Sequence, residues 1–274
     1  MSMIDLKSEY DNRARVPGHP AIIAGWKADA EAFRRKAGGA IDLAYGAGAR
    51  NVVDVFHPDK PSSGQLVVFI HGGYWRMFDK SSFSHMAAGA VGQGLDVAVP
   101  SYSLCPAVGV TDIIAEMRQC CLFLWTRFQR RLVVVGHSAG GHLAACLAAT
   151  RWGDYGAPAD LISAGMAISG VFDLRPLLVT PYNDDLKLDA ATALAASPIA
   201  WPVPRVLPFD ICVGADESAE FIRQSRSLSA AWRGLGLSAP CTEIAGENHF
   251  SVVNALADPE SGLSLRIVEL ASRK

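Results

Sequence analysis

"VVVGHSAGGHLAA", residues 133–145, opens on three β-branched residues and closes on a run with helical spacing. Between them stands Gly136-His137-Ser138-Ala139-Gly140, a serine with a glycine two positions to either side. A strand that gives way to a helix within one residue must pass through a strained bend, and glycine is required where the chain nearly touches itself. The helix that follows directs its free N–H groups and its positive dipole end at the serine oxygen. With 25 glycines in the chain the five-residue pattern alone carries little weight. Its setting, directly after an apolar strand and directly before a helix, is what marks Ser138 as a nucleophile.

Working outward, six more strand-like runs surround "RLVVVGHS" (131–138): "NVVDVFHP" (51–58), "QLVVFIHG" (65–72), "LDVAVPSY" (95–102), "AGMAISGV" (164–171), "PFDICVGA" (208–215) and "PCTEIAG" (240–246). Several are apolar throughout rather than alternating, as in strands of a parallel sheet covered on both faces. Segments with helical spacing separate many of them, among them "TDIIAEMRQCCLFLWTRFQ", "GGHLAACLAATRW" and "AEFIRQSRSLSAAWRGLG". This alternation predicts a doubly wound, mostly parallel α/β sheet built as a single domain over residues 1–274. Two parts stand outside it. Residues 1–45, with "AIIAGWKADAEAFRRKA", read as an N-terminal helical extension. The proline-rich stretch at about 172–207 is too long for a plain connection and reads as a cap inserted over the sheet.

Half of the 274 residues are hydrophobic, 19% are charged and the formal net charge is −2, which gives no basis for a nucleic-acid or an anionic-membrane surface. The six cysteines form no C-x-x-C pair and read as reduced, buried thiols. The first twenty residues lack an apolar h-region, and no run approaches the ~18 apolar residues of a membrane span. A cytoplasmic protein is expected, binding neither nucleic acid nor membrane; the oligomeric state stays open, a homodimer included.

A nucleophilic serine needs a base, and the base needs an acid to orient it. The order expected after an elbow of this kind is serine, acid, histidine. "FDICVGADES" ends a strand with Asp216 in the loop beyond it, and "TEIAGENHFSVV" ends the last strand with His249. Asp216 is preferred to its neighbour Glu217 on placement, while Asp210 precedes its strand and faces the wrong end. His137 and His142 read as structural. "LVVFIHGGYWRMF" (66–78) supplies the remaining part: a strand ending in bare glycines leaves backbone N–H groups free to hold an oxyanion. Gly73 and Tyr74 are the donors expected from this turn, and Ala139, next to the nucleophile, supplies another. Gly72, Trp75, Phe172 and Phe250 are the expected substrate contacts, with Tyr182 and Trp201 as further aromatics from the cap; Trp75 reads equally as a core residue, and the aromatics equally as cap packing. Arg76, Arg175 and Arg205 are equal candidates for holding a substrate carboxylate. There is no H-E-x-x-H and the histidines do not fall at ligand spacings, so neither metal nor cofactor is expected.

With "YDNRARVP" (10–17), "HGGYWRMFDKSSFS" (71–84), "GHSAGGHLAA" (136–145), "GADESAEFIRQSR" (214–226) and "ENHF" (247–250), the chain resembles the α/β-hydrolase fold. Within that fold it is most similar to the kynurenine formamidase (arylformamidase) branch, near the hormone-sensitive-lipase-type esterases. The specific element is "HGGYW", since many related esterases carry a third glycine where Tyr74 stands. The resemblance matches Ser138, Asp216 and His249 to the family's triad, and Gly73 and Tyr74 to its oxyanion donors. It implies a serine hydrolase that cleaves an aryl N-formyl or N-acyl amide such as N-formylkynurenine, a step of tryptophan breakdown, through an acyl-enzyme. A carboxylesterase acting on short-chain or aryl esters is the alternative, using the same residues.

Overall fold

The computed structural model describes residues 5–62 and 64–273. Three helices come first, α1 (Leu6–Tyr10), α2 (Asn12–Arg15) and α3 (His19–Lys36), followed by strands β1 (Gly38–Ala44), β2 (Val52–His57) and β3 (Leu66–Ile70). Then come α4 (Ala88–Gly92), β4 (Val97–Pro100), α5 (Val110–Phe128), β5 (Leu132–His137), α6 (Ala139–Ala148) and β6 (Ile162–Ile168). The chain closes with α7 (Asn183–Leu186), α8 (Ala190–Ala195), β7 (Phe209–Gly214), α9 (Ala219–Gly234), β8 (Cys241–Ile244) and α10 (Gly262–Ser272).

The strands form one sheet in the order β1-β2-β4-β3-β5-β6-β7-β8. Pairings from β4 through β8 are parallel, and β2 runs antiparallel to both β1 and β4. The uniformly apolar strands have the burial that their composition implies. On β3, Leu66, Val68 and Ile70 enter one core with Leu132 and Val134 of β5, while Val67 and Phe69 enter the other with Val133 and Val135. Residues of α5, α6 and α9 (Ile113, Leu143, Phe221) close the first core. Residues of α3, α4 and α10 (Trp26, Ala90, Ile267) close the second.

The segment expected to be helical up to residue 45 also contains a strand. β1, "GGAIDLA", pairs with β2 at the sheet edge and is largely exposed, so it lacks the apolar signature by which the inner strands are recognised. Asp42 within it takes a positive φ of 57°. Its backbone N–H donates to Asp54 Oδ1 at 2.8 Å. Asp54, fully buried on β2, also accepts from Lys80 Nζ at 2.8 Å and from Arg34 of α3. One buried carboxylate thus ties the first long helix and the edge strand to the sheet.

All six cysteines are free, and all but Cys241 are buried. Among the described residues no helix is long and apolar enough to cross a membrane.

Candidate active site

Ser138 occupies the bend between β5 and α6 at φ 56°, ψ −119°, the strained geometry anticipated for the elbow. The two glycines of the motif are required by contact. A Cβ on Gly136 would overlap the Gly140 carbonyl, and one on Gly140 would overlap the Ile70 carbonyl at the end of β3. The serine N–H donates to the Ile168 carbonyl at 2.8 Å, so the end of β6 fixes the bend from the other side.

Ser138 Oγ lies 3.1 Å from His249 Nε2, and both side chains are more than nine-tenths buried. His249 Nδ1 faces Glu217 Oε2 at 2.7 Å. This corrects the expectation that Asp216 is the orienting acid. After β7 the chain turns tightly, with Glu217 N–H donating to the Gly214 carbonyl at 3.2 Å and Asp216 N–H to the Glu247 carbonyl at 3.0 Å. The turn puts residue 216 on the solvent side and residue 217 inside. The longer glutamate then reaches the imidazole that an aspartate one position earlier faces away from. Its second oxygen, Oε1, accepts from Gly214 N–H at 2.8 Å and from the hydroxyl of Ser169, a residue held at φ 53° after β6. One carboxylate oxygen is anchored and the other is aimed at His249.

The "HGGYW" turn carries three successive residues at positive φ: Gly73 (117°), Tyr74 (49°) and Trp75 (55°). Among the described residues, the N–H groups of Gly73 and Tyr74 donate to no protein acceptor. Ala139 opens α6, so its N–H has no acceptor within the helix. Gly72 packs so closely against the nucleophile that an added Cβ would stand 3.0 Å from Ser138 Cβ. His71 hydrogen-bonds the Gly72 carbonyl through Nδ1 at 2.7 Å and stacks on Tyr102 at 4.4 Å. Burial lowers its pKa to about 4, so it props the turn as a neutral ring. The hydroxyl of Tyr74 donates to the Tyr10 carbonyl of α1 at 2.7 Å, and its ring stacks on Tyr182 at 4.0 Å. The turn is therefore gripped by both the N-terminal segment and the segment that carries Tyr182.

His137 and His142 are buried and structural in their contacts. His137 Nε2 meets the His249 carbonyl at 2.9 Å, and His142 Nε2 meets the Ala196 carbonyl at 2.7 Å. Burial holds the pKa of His137 well below the usual value and that of His142 at about 4.

A narrow cleft opens onto Ser138 and His249. Gly72, Phe250 and Tyr182 are among the residues that line it. Trp75 and Phe172 do not. Both are fully buried in the core, Trp75 edge-on to His142 at 4.9 Å and Phe172 beneath Gly170, because the turn and the strand end that carry them point those side chains inward. Trp201 lies elsewhere, on a separate groove with Arg151. The walls instead include Trp26 and, from within the stretches that carry the family resemblance, Asn12, Phe78 and Phe83. Of the three candidate arginines, Arg76 is paired with Asp185, Arg175 with Asp173, and Arg205 meets the Ile162 carbonyl.

The BD-FAE family profile matches residues 53–167. A kynurenine formamidase of Drosophila melanogaster is 31% identical over 244 residues, covering 83% of this chain and 81% of that protein. The kynurenine formamidase of Danio rerio is 27% identical, covering 92% of this chain and 89% of its own. The crystal structure of a candidate thioesterase from Silicibacter sp. TM1040 superposes with a TM-score of 0.89 at 37% identity, covering 97% of this chain and 99% of the other. An esterase from Pyrobaculum calidifontis, at 17% identity and a TM-score of 0.72 over 92% of each chain, shares the fold. The chain belongs to the kynurenine formamidase family of α/β-hydrolases.

Proposed function

We propose that the protein is a metal-independent serine hydrolase that cleaves an aryl N-formyl or N-acyl amide, N-formylkynurenine being the leading substrate, through an acyl-enzyme. The relay Ser138–His249–Glu217 carries the reading, because its two short contacts set the proton path in one direction. His249 Nε2 takes the Ser138 proton as the oxygen attacks the carbonyl, and Glu217 opposes the positive charge that forms on the ring. The N–H groups of Gly73, Tyr74 and Ala139 receive the oxyanion; one such donor typically contributes about 3 kcal/mol to lowering the barrier. His249 then gives its proton to the leaving nitrogen. Water, deprotonated by the same imidazole, releases the formyl group.

The aromatic lining of the cleft, Trp26, Phe78, Phe83 and Phe250, suits a planar aryl amine as leaving group. The relatives named kynurenine formamidase support the formamide as the bond cleaved. The carboxylesterase alternative uses the same residues, and solved structures named esterases share the fold. We place the enzyme in the cytoplasm, which its free cysteines favour, with a small-molecule substrate as its partner and a homodimer as the assembly to test. Steady-state turnover of N-formyl-L-kynurenine beside p-nitrophenyl acetate decides the substrate class. Formamide turnover near ~10⁴ M⁻¹s⁻¹ is expected, and ester turnover with no formamide cleavage refutes the formamidase reading. Ser138→Ala is expected to abolish both activities without unfolding the chain; a variant that keeps a substantial fraction of the rate refutes the assignment of the nucleophile.

A further inference from the structure

The cleft beside Ser138 contains a polar group that the acyl-transfer steps do not use. Asn12, the first residue of α2, is 3% exposed, lines the cleft, and has no hydrogen-bond partner for either Oδ1 or Nδ2. A buried carboxamide left with both ends empty is costly, since the loss of its hydrogen bonds to water goes uncompensated. Its segment is held firmly. The Tyr10 hydroxyl donates to Glu220 of α9 at 2.8 Å, the Tyr10 carbonyl accepts from Tyr74, and the Asp11 side chain caps α2 through Ala14 N–H at 3.1 Å. Asn12 is therefore placed in the cleft by well-satisfied neighbours.

The next residue, Arg13, is exposed and lines both this cleft and an adjoining outer groove, which sets it at the mouth. Its guanidinium meets the thioether sulfur of Met77 at 3.0 Å, and among the described residues it has no carboxylate partner. The neighbouring Arg76 is already paired with Asp185 and lies over the Tyr182 ring at 5.1 Å. A thioether is a poor acceptor for a guanidinium, whose forked donors fit a carboxylate.

Resting on the hydrolase reading above, we propose that Asn12 and Arg13 form a recognition subsite for an α-amino-acid head group on the aromatic leaving half of the substrate. Arg13 and Asn12 Nδ2 take the carboxylate, and Asn12 Oδ1 takes the ammonium. The acyl carbonyl sits over Ser138, the aryl ring fills the aromatic cleft, and the amino-acid tail reaches α2. The N-terminal helices thereby select the substrate while the sheet edges carry out the chemistry.

The test compares kcat/KM for N-formyl-L-kynurenine with that for 2-formamidoacetophenone, which keeps the reacting end and the ring but lacks the amino-acid tail. The wild type is expected to favour the first. Arg13→Gln and Asn12→Ala are each expected to lower the ratio of the two values by about 10- to 100-fold, as loss of a hydrogen bond to a charged group does. The change should fall mainly on KM, and Arg13→Lys should recover part of it. Equal losses on both substrates, or an unchanged ratio in both variants, would overturn the subsite. Should the wild type cleave neither formamide, the formamidase reading fails on its own. The same variants are then compared on O-acetyl-L-tyrosine and 4-methylphenyl acetate, where an unchanged ratio again overturns the subsite and a fall supports it.

Discussion

Replacing Glu217 by Gln tests the central correction to the triad, because the structure dictates where the new amide must point. Oε1 of Glu217 accepts two donors, the Gly214 N–H and the Ser169 hydroxyl, and only an oxygen can stay there. In Glu217→Gln the carbonyl keeps that place and the NH₂ group falls opposite His249 Nδ1, now 2.7 Å from a carboxylate oxygen. A donor facing Nδ1 forces the ring proton onto Nε2, the atom that must accept the Ser138 proton. The variant loses both the productive tautomer and the charge opposite the imidazolium. The equivalent change in a serine protease costs about 10⁴ in kcat. A loss of ~10³–10⁴ is expected here, or about 4–5.5 kcal/mol of barrier. The assay is kcat on N-formyl-L-kynurenine and p-nitrophenyl acetate, with circular dichroism to establish that the isosteric variant folds. Asp216→Asn, on the solvent side of the same turn, should change kcat by no more than about twofold, as exposed substitutions generally do. If Asp216→Asn loses more than a hundredfold while Glu217→Gln stays within tenfold, the assignment from geometry is wrong.

The other expectations concern stability. Gly140→Ala drives a methyl group into the Ile70 carbonyl and should cost about 1–3 kcal/mol or more by overpacking, whereas Gly153→Ala, with open space around it, should stay within about 0.5 kcal/mol; calorimetric melting of the pair checks this, and equal melting temperatures refute it. Asp54→Ala leaves Lys80 and Arg34 without their shared buried carboxylate and should destabilise by about 3–5 kcal/mol in urea unfolding; a loss under about 1 kcal/mol would show that the cluster is relaxed by water. His71 and His142, both held near pKa 4 by burial, are neutral in the folded and unfolded chain above pH 6.5. As the pH falls from 6.5 towards 4 the unfolded chain takes up these protons first, so stability declines, by up to about 2.7 kcal/mol per pH unit for the two together. His142→Gln should remove about half of that slope, and an unchanged slope would refute the contribution.

The parts of the molecule that were legible in advance are those whose chemistry or burial constrains every residue. The inner strands are apolar on both faces, and the elbow needs its glycines at fixed places, so β3, β5 and Ser138 could be read directly. His249 followed because it closes the last strand. The choice between Asp216 and Glu217 was not legible, since it turns on how one three-residue loop rotates after Gly214, and adjacent carboxylates look alike in a sequence. Edge strand β1 was missed because exposure removes its apolar pattern. Trp75 and Phe172 show the reverse limit: an aromatic near a catalytic motif is equally at home in a core, and only packing tells the two apart. Asn12 stands in "YDNRARVP", a stretch that carries the family resemblance, but nothing in the sequence marks its side chain as unpartnered, because that depends on what surrounds it.

The free cysteines have a practical consequence for chemical probing. Burial pushes the Cys105 thiol up to about 11 and that of Cys212 to about 12, and raises those of Cys120, Cys121 and Cys146 as well. Cys241, half-buried, is also raised. Since the thiolate is the reactive form, even Cys105 offers only about one ionised sulfur in 10⁴ at neutral pH. Among the described residues the five buried thiols are therefore weak competitors for an electrophilic warhead, and the expected point of reaction is the hydroxyl of Ser138, the proposed nucleophile. Half-buried Cys241 is the one thiol among the described residues to mask before stoichiometric adduct formation is read as reaction at that oxygen.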